Sequence, residues 1–187
     1  MVTKMTAWLC LAPFLKTGEP LHLADISRKL KKNHTSVRKH LNLIEKQGVL
    51  IKQIKGRLTL YSLNASNPLI IDYLVLAEKE NLIKKCRESL LLNEVVSFLH
   101  QNLNENNKAL IFGSSAEDIK KANDIDIIIT EKINFEGKIK DFEKRFNIEI
   151  HLINVKSLSA VSESLKKEVF EKHLIIQGSE EVIKWLI

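Results

Sequence analysis

Long apolar runs, paired cysteines and prolines are what this 187-residue chain has least of, and each shortage excludes something. Its longest apolar runs, such as Ile125–Ile129 with Asp126 inside, fall far short of the roughly 20 residues that cross a bilayer, so no membrane partner is expected. An apolar stretch, Ala7–Leu15, follows Lys4 without a small-residue cleavage site, so it reads as a first helix and the expected address is the cytoplasm. The two cysteines, Cys10 and Cys86, lie 76 positions apart, which suits neither a metal knuckle nor a disulfide framework. No CxxC pair, Ser-His-Asp arrangement or glycine-rich dinucleotide fingerprint occurs. Only Pro13, Pro20 and Pro68 punctuate the chain.

What is present is enough for a core. Apolar residues make up 44% and charged residues 28%, which excludes a disordered tail or a collagen-like repeat. Charge is unevenly spread. Residues 1–65 hold twelve Lys and Arg against three acids, a net +9, while residues 66–187 hold seventeen bases and twenty acids, a net −3. A polyanion suits the first third and not the remainder, and the split suggests two domains.

Thr17-Gly18-Glu19-Pro20 closes the first helix as a turn, and Leu23, Ile26 and Leu30 recur at helical spacing through Ala24–Lys31. Asn33 is placed to cap the next helix, Thr35–Gln47, whose Val37, Leu41 and Ile44 form one apolar face. Gly48 ends it. Val49–Ile54 and Arg57–Leu63 read as strands around a tight turn at Lys55-Gly56. With that apolar face inward, Ser36, Arg38, Lys39 and Asn42 fall on the outer and flanking faces.

This order, with Asp25-Ile26-Ser27-Arg28-Lys29-Leu30, Thr35–Leu41, Glu45–Leu50 and Tyr61-Ser62-Leu63-Asn64, resembles a winged helix-turn-helix DNA-binding domain over residues 4–65. The resemblance implies double-stranded DNA as partner. Ser36, Arg38, Lys39 and Asn42 would meet the major groove, and Lys55 and Arg57 at the hairpin tip would meet the backbone or minor groove. Such domains also serve as protein-docking modules.

Asn64-Ala65-Ser66-Asn67-Pro68 reads as a linker, with Asn67 as a cap and Pro68 at the first helical position. A helical stretch follows from Leu69 to about Asn102, with Leu69, Tyr73, Leu76 and Ile83 near one stripe that suits a homodimer. The expected layout is α+β in two domains. Residues 1–65 form the winged helix-turn-helix, 66–89 a linker helix, and 90–187 a mixed α/β sheet domain.

In that last part, Ala109–Phe112, Ile125–Thr130, Asn147–Asn154 and Leu174–Gln177 read as strands. Ser114–Lys121, Phe135–Phe146, Ser157–Glu171 and Ser179–Leu186 read as helices. Gly113-Ser114-Ser115 follows a strand and opens a helix, offering backbone N–H groups and hydroxyls to phosphate. Eleven positions after Gly113 comes Asp124-Ile125-Asp126, whose carboxylates share one face of a strand while Ile125 and Ile127 face the core. Paired carboxylates beside a phosphate-holding loop suit Mg²⁺-dependent phosphoryl or nucleotidyl transfer. Glu149 supplies a third acid on the next strand. His151, two positions on, could share its face and stand behind the ligands or beside the phosphate, though a structural histidine is the leading expectation.

The run strand–Gly113-Ser114–helix–Asp124-x-Asp126–helix–strand with Glu149 resembles the minimal nucleotidyltransferase domain of the DNA polymerase β superfamily, over residues 90–187. The resemblance implies that Gly113 and Ser114 bind phosphate of an NTP. It also implies that Asp124 and Asp126 bind Mg²⁺, with Glu149 as a further metal ligand or general base. Glu117 and Asp118 depart from the Arg and Gly common in that family, and Glu149 from its usual Asp. Two functions follow: a DNA-binding nucleotidyltransferase acting on a hydroxyl acceptor, or a transcriptional regulator whose transferase-like domain is inactive and senses nucleotide or mediates dimerisation.

Overall fold

The apolar periodicities above become an α+β fold with two separate sheets, described by a computed structural model for residues 6–131 and 135–187. Lys4, counted in the basic first third, lies outside the described residues. The chain clusters into two compact units that divide between Glu80 and Asn81. Among the described residues no helix is long and apolar enough to cross a membrane.

In the first unit, the expected first helix forms two 3-10 turns, Trp8–Leu11 and Phe14–Lys16. Pro13 between them has no N–H to continue an α-helical ladder, so the stretch breaks while still burying Leu11 and Leu15. A two-residue strand β1 (Leu21–His22), which the sequence pattern did not suggest, leads into α1 (Leu23–Leu30). Lys31, in the left-handed region at φ 53°, ends α1. Helix α2 (His34–Lys46) begins where its cap predicts: the Asn33 side chain accepts the Ser36 N–H at 2.8 Å. Val37, Leu41 and Ile44 are fully buried.

Gly48, at φ +70°, turns the chain into β2 (Leu50–Lys55). That strand pairs antiparallel with β3 (Leu58–Leu63) across a turn at Gly56, and the sheet order is β1-β3-β2. The Asn64–Pro68 segment is tied down: Asn64 and Asn67 each donate to the Gly48 carbonyl, at 2.7 and 3.1 Å. Asn67 also accepts the Leu69 N–H at 2.9 Å, leading into α3 (Ile70–Glu88).

The long helical stretch does not run through. Ser89 adopts an extended backbone and its hydroxyl accepts the Leu92 N–H, starting α4 (Leu90–Asn102) as a new helix. In the second unit β4 (Ala109–Phe112), α5 (Gly113–Asp118), β5 (Asp124–Thr130) and α6 (Glu136–Phe146) follow in turn. Then come β6 (Glu149–Val155), α7 (Glu163–Glu171), β7 (His173–Gln177) and α8 (Ser179–Leu186). The sheet order is β6-β5-β4-β7, with β5–β6 parallel and the other pairs antiparallel. Ile111, Ile125, Ile127 and Ile129 pack with Val95 and Leu99 of α4 and Ile139 and Phe142 of α6 in one core.

Candidate functional site

In the second unit the site grows from the two-residue period of β5. Ile125 and Ile127 are buried on one face, which forces Asp124 and Asp126 onto the other, with side chains 35% and 26% exposed. Phe112 of β4 is paired with Asp126, so the next residue, Gly113, stands beside the acids. Gly113 has φ +69°, and a Cβ there would sit 3.2 Å from Asp126 Oδ2 and 3.5 Å from Glu168 Oε1. A side chain there would crowd both carboxylates, and the Gly113 N–H already donates to the Lys172 carbonyl at 3.2 Å. Ser114 is exposed, whereas Ser115 is buried and its hydroxyl donates to the Phe112 carbonyl at 3.0 Å. Lys85 donates to the Ala116 and Glu117 carbonyls at 2.7 Å each, fixing the turn on which Gly113 and Ser114 lie.

The third ligand position differs from expectation. The parallel register sets Glu149 opposite Asp124 and His151 opposite Asp126. His151 Nδ1 lies 3.3 Å from Asp124 Oδ2 and 3.4 Å from Asp126 Oδ1, so Asp124, Asp126 and His151 are the residues whose ligand atoms converge. Glu149 shares the face, one step nearer the strand start, and meets the far side of the imidazole at 3.2 Å from Nε2. Among the described residues the converging ligand atoms are those of two acids and a histidine, with Glu149 opposite Asp124 and against the far side of that histidine. His151 is not a structural core residue. The Glu149 carboxylate first, then Asp124 and Asp126, hold the imidazole above its ordinary pKa, against the opposing effect of partial desolvation.

The two acids that depart from the family pattern have partners. Glu117 is 3.0 Å from Lys172, whose pKa that carboxylate raises, and Asp118 is 3.4 Å from Lys121. Their charge is offset at source.

In the first unit, Arg38, Lys39 and Asn42 are exposed on α2 and Ser36 is half-buried on its flank. Lys55 and Arg57 are exposed at the hairpin. Lys46, also exposed, falls on the α2 face opposite Val37, in line with Lys39 and Asn42; the helical period already placed it there, and the sequence reading omitted it. Burial pushes the Tyr61 phenol up, and nearby Arg38 opposes that shift. On α3, Leu76 and Ile83 are exposed, as is Leu69 just before it, whereas Tyr73 stacks on Trp8 with ring centroids 4.8 Å apart.

No family model matches the chain, and neither does any curated protein. Solved structures with some likeness include a mutant of the toxin-antitoxin MntA-HpeT, at 15% identity and TM-score 0.39 over 50% of this chain and 78% of that one. They also include a mutant of Lactococcus lactis ZitR, at 20% identity and TM-score 0.32 over 54% and 77%. Wild-type Lactococcus lactis ZitR in complex with DNA matches at 18% identity and TM-score 0.32, over 54% and 74%. Likeness of this degree assigns neither a ligand nor an activity to this chain.

Proposed function

We propose that this chain binds double-stranded DNA through a winged helix-turn-helix (residues 1–65), joined by a linker helix (66–89) to a nucleotidyltransferase-like domain (90–187). The reaction is transfer of a nucleoside monophosphate from an NTP to a hydroxyl. The acceptor oxygen bonds to the α-phosphorus, the bond from that phosphorus to its bridging oxygen breaks, and pyrophosphate leaves. The observation that carries this reading is the Asp124–Asp126 pair on one face of β5 with the side-chain-free Cα of Gly113 against Asp126.

The donor set fits a divalent cation. One ligand atom each from Asp124, Asp126 and His151 lie within 4.8 Å of one another. When bound, such an ion, Mg²⁺ in this class of chemistry, neutralises triphosphate charge and eases deprotonation of the acceptor hydroxyl. The protein's own part is positional. Asp124 and Asp126 hold the ion, and the exposed Ser114 hydroxyl donates to the phosphate. Lys172 and Lys121 keep Glu117 and Asp118 from repelling it. Two copies pairing through Leu69, Leu76 and Ile83 would present two α2 helices to a two-fold DNA site.

The test is pyrophosphate release from each NTP with divalent metal. Wild type should release it, and Asp126→Asn should not, while duplex binding stays unchanged. The place of His151 beside Asp126 favours a second reading, a DNA-binding regulator whose transferase-like unit senses nucleotide without turnover. It predicts NTP-dependent change in duplex affinity with no pyrophosphate released.

A further inference from the structure

A nitrogen ligand stands where a third oxygen was expected, and this bears on which ion the site prefers. Resting on the reading of Asp124 and Asp126 as metal ligands, we propose that the Asp124–Asp126–His151 cluster selects a first-row transition dication (Mn²⁺, Co²⁺ or Zn²⁺) over Mg²⁺, with Glu149 as the residue that orients His151.

Three observations carry it. First, the parallel β5–β6 register puts His151 directly beside Asp126, so the imidazole belongs to the strand pairing and not to a mobile loop. Second, the two separations from the histidine suit shared coordination. Ligand atoms about 2.1 Å from one ion stand roughly 3.0–3.4 Å apart at octahedral or tetrahedral angles. Nδ1 lies 3.3 and 3.4 Å from the two aspartate oxygens. Third, the imidazole is held from behind. Nε2 lies 3.2 Å from Glu149 Oε1, so when a cation takes the place of the proton on Nδ1 the ring still donates its Nε2–H to that carboxylate. A carboxylate on the distal nitrogen of a metal-binding histidine fixes its tautomer and increases its basicity as a ligand. Mg²⁺ is a hard cation that takes oxygen ligands and dehydrates reluctantly, whereas imidazole suits the transition dications. Replacing one carboxylate by imidazole therefore lowers the charge that attracts Mg²⁺ and adds a donor that Mg²⁺ uses poorly.

All-oxygen sites also bind transition ions more tightly than Mg²⁺, so the informative quantity is a ratio. Full-length protein, without nucleotide, is titrated calorimetrically with CoCl₂ and with MgCl₂, in wild type, His151→Asp, Glu149→Gln and Asp126→Asn. His151→Asp should lower the Co²⁺-to-Mg²⁺ affinity ratio at least about tenfold, and Glu149→Gln should weaken Co²⁺ about tenfold with Mg²⁺ little changed. Electron spin-echo spectra of Mn²⁺ on the unaltered protein should show coupling to one imidazole nitrogen, a readout that does not depend on how a variant folds. An unchanged ratio, or no nitrogen coupling while Asp126→Asn still abolishes binding, overturns the selectivity and leaves the metal site standing. Absence of any dication binding in wild type overturns both.

Discussion

The two units handle charge in opposite ways. In the first, cations project from one side of α2 and from the hairpin: Arg38, Lys39, Lys46, Lys55 and Arg57 are all exposed, while Val37, Leu41 and Ile44 anchor the helix from behind. In the second, lysines are matched to acids: Lys172 with Glu117, Lys121 with Asp118, Lys108 with Glu181, Lys184 with Glu180. Those pairs are half-exposed or more on at least one side and add little stability. Their consequence is electrostatic: four lysines are each taken up by a neighbouring acid, while two acids converge with a histidine nitrogen at the head of β5 and β6. A surface that meets a polyanion needs many unpaired charges and little exact geometry. A site that holds one ion needs few charges and an exact register.

The strongest test of this comparison asks whether the units are separable at all. Leu41 and Ile127 are core residues of unit one and unit two, 0% and 1% exposed. Truncation of either to Ala should cost about 2–5 kcal/mol. Each unit carries a thiol to read its opening. Burial pushes Cys10 up to about 12, so it is almost wholly unreactive thiol near neutral pH, and burial also raises the half-buried Cys86. Leu41→Ala should speed alkylation of Cys10 and leave Cys86 at its native rate; Ile127→Ala should do the reverse. Joint acceleration of both thiols by either variant would mean the units open together, and the contrast between them would be one of surface only.

A smaller effect sharpens the electrostatic half. If α2 meets phosphates, neutralising one contact removes about 0.9 from the slope of log affinity against log salt. Lys39→Ala and Arg57→Ala should each lower that slope by about this amount, measured by fluorescence anisotropy on a labelled duplex. Lys46→Ala should match Lys39→Ala, because the two share a face. Lys121→Ala, in the second unit, should leave the slope unchanged. A slope indifferent to all four would make α2 a protein-docking face instead.

The same contrast explains what could be read from sequence. The α2 face was legible because helical period is local: Val37, Leu41 and Ile44 declare the inside, so the outside follows. The Asp124–Asp126 pair was legible for the same reason, with period two. The third group of the cluster was not. Both Glu149 and His151 alternate with buried or half-buried neighbours, and which of them faces Asp126 depends on how β5 and β6 slide past each other. That register is set by packing between elements and leaves no mark within either strand. The break at Ser89 is legible only in part: the apolar stretch runs on past it, while serine is a strong cap wherever the backbone becomes extended. The Asn64–Pro68 segment misled because its asparagines look solvated, yet two of them spend their amides on the Gly48 carbonyl.

The smallest effect comes from caps, and it compares like with like. Asn33 caps α2 in the first unit and Ser89 caps α4 in the second, each by accepting an N–H three residues on. Geometry favours Asn33, at 2.8 Å against 3.3 Å. Burial favours Ser89: it is 6% exposed, so water cannot replace the lost acceptor for the Leu92 N–H, whereas Asn33 is exposed and water can. The two differences oppose each other, so Asn33→Ala and Ser89→Ala should each cost about 1 kcal/mol in urea unfolding. Their functional consequences should differ. The N–H that Asn33 holds belongs to Ser36, at the start of the proposed DNA face, so fraying there loosens the turn that carries Ser36, Arg38 and Lys39. Asn33→Ala should weaken duplex binding a few-fold at fixed salt without altering the salt slope, because no phosphate contact is removed. Ser89→Ala should leave duplex binding unchanged. Equal loss of duplex affinity in both variants would show that the interface senses overall stability and not the order of its own first turn.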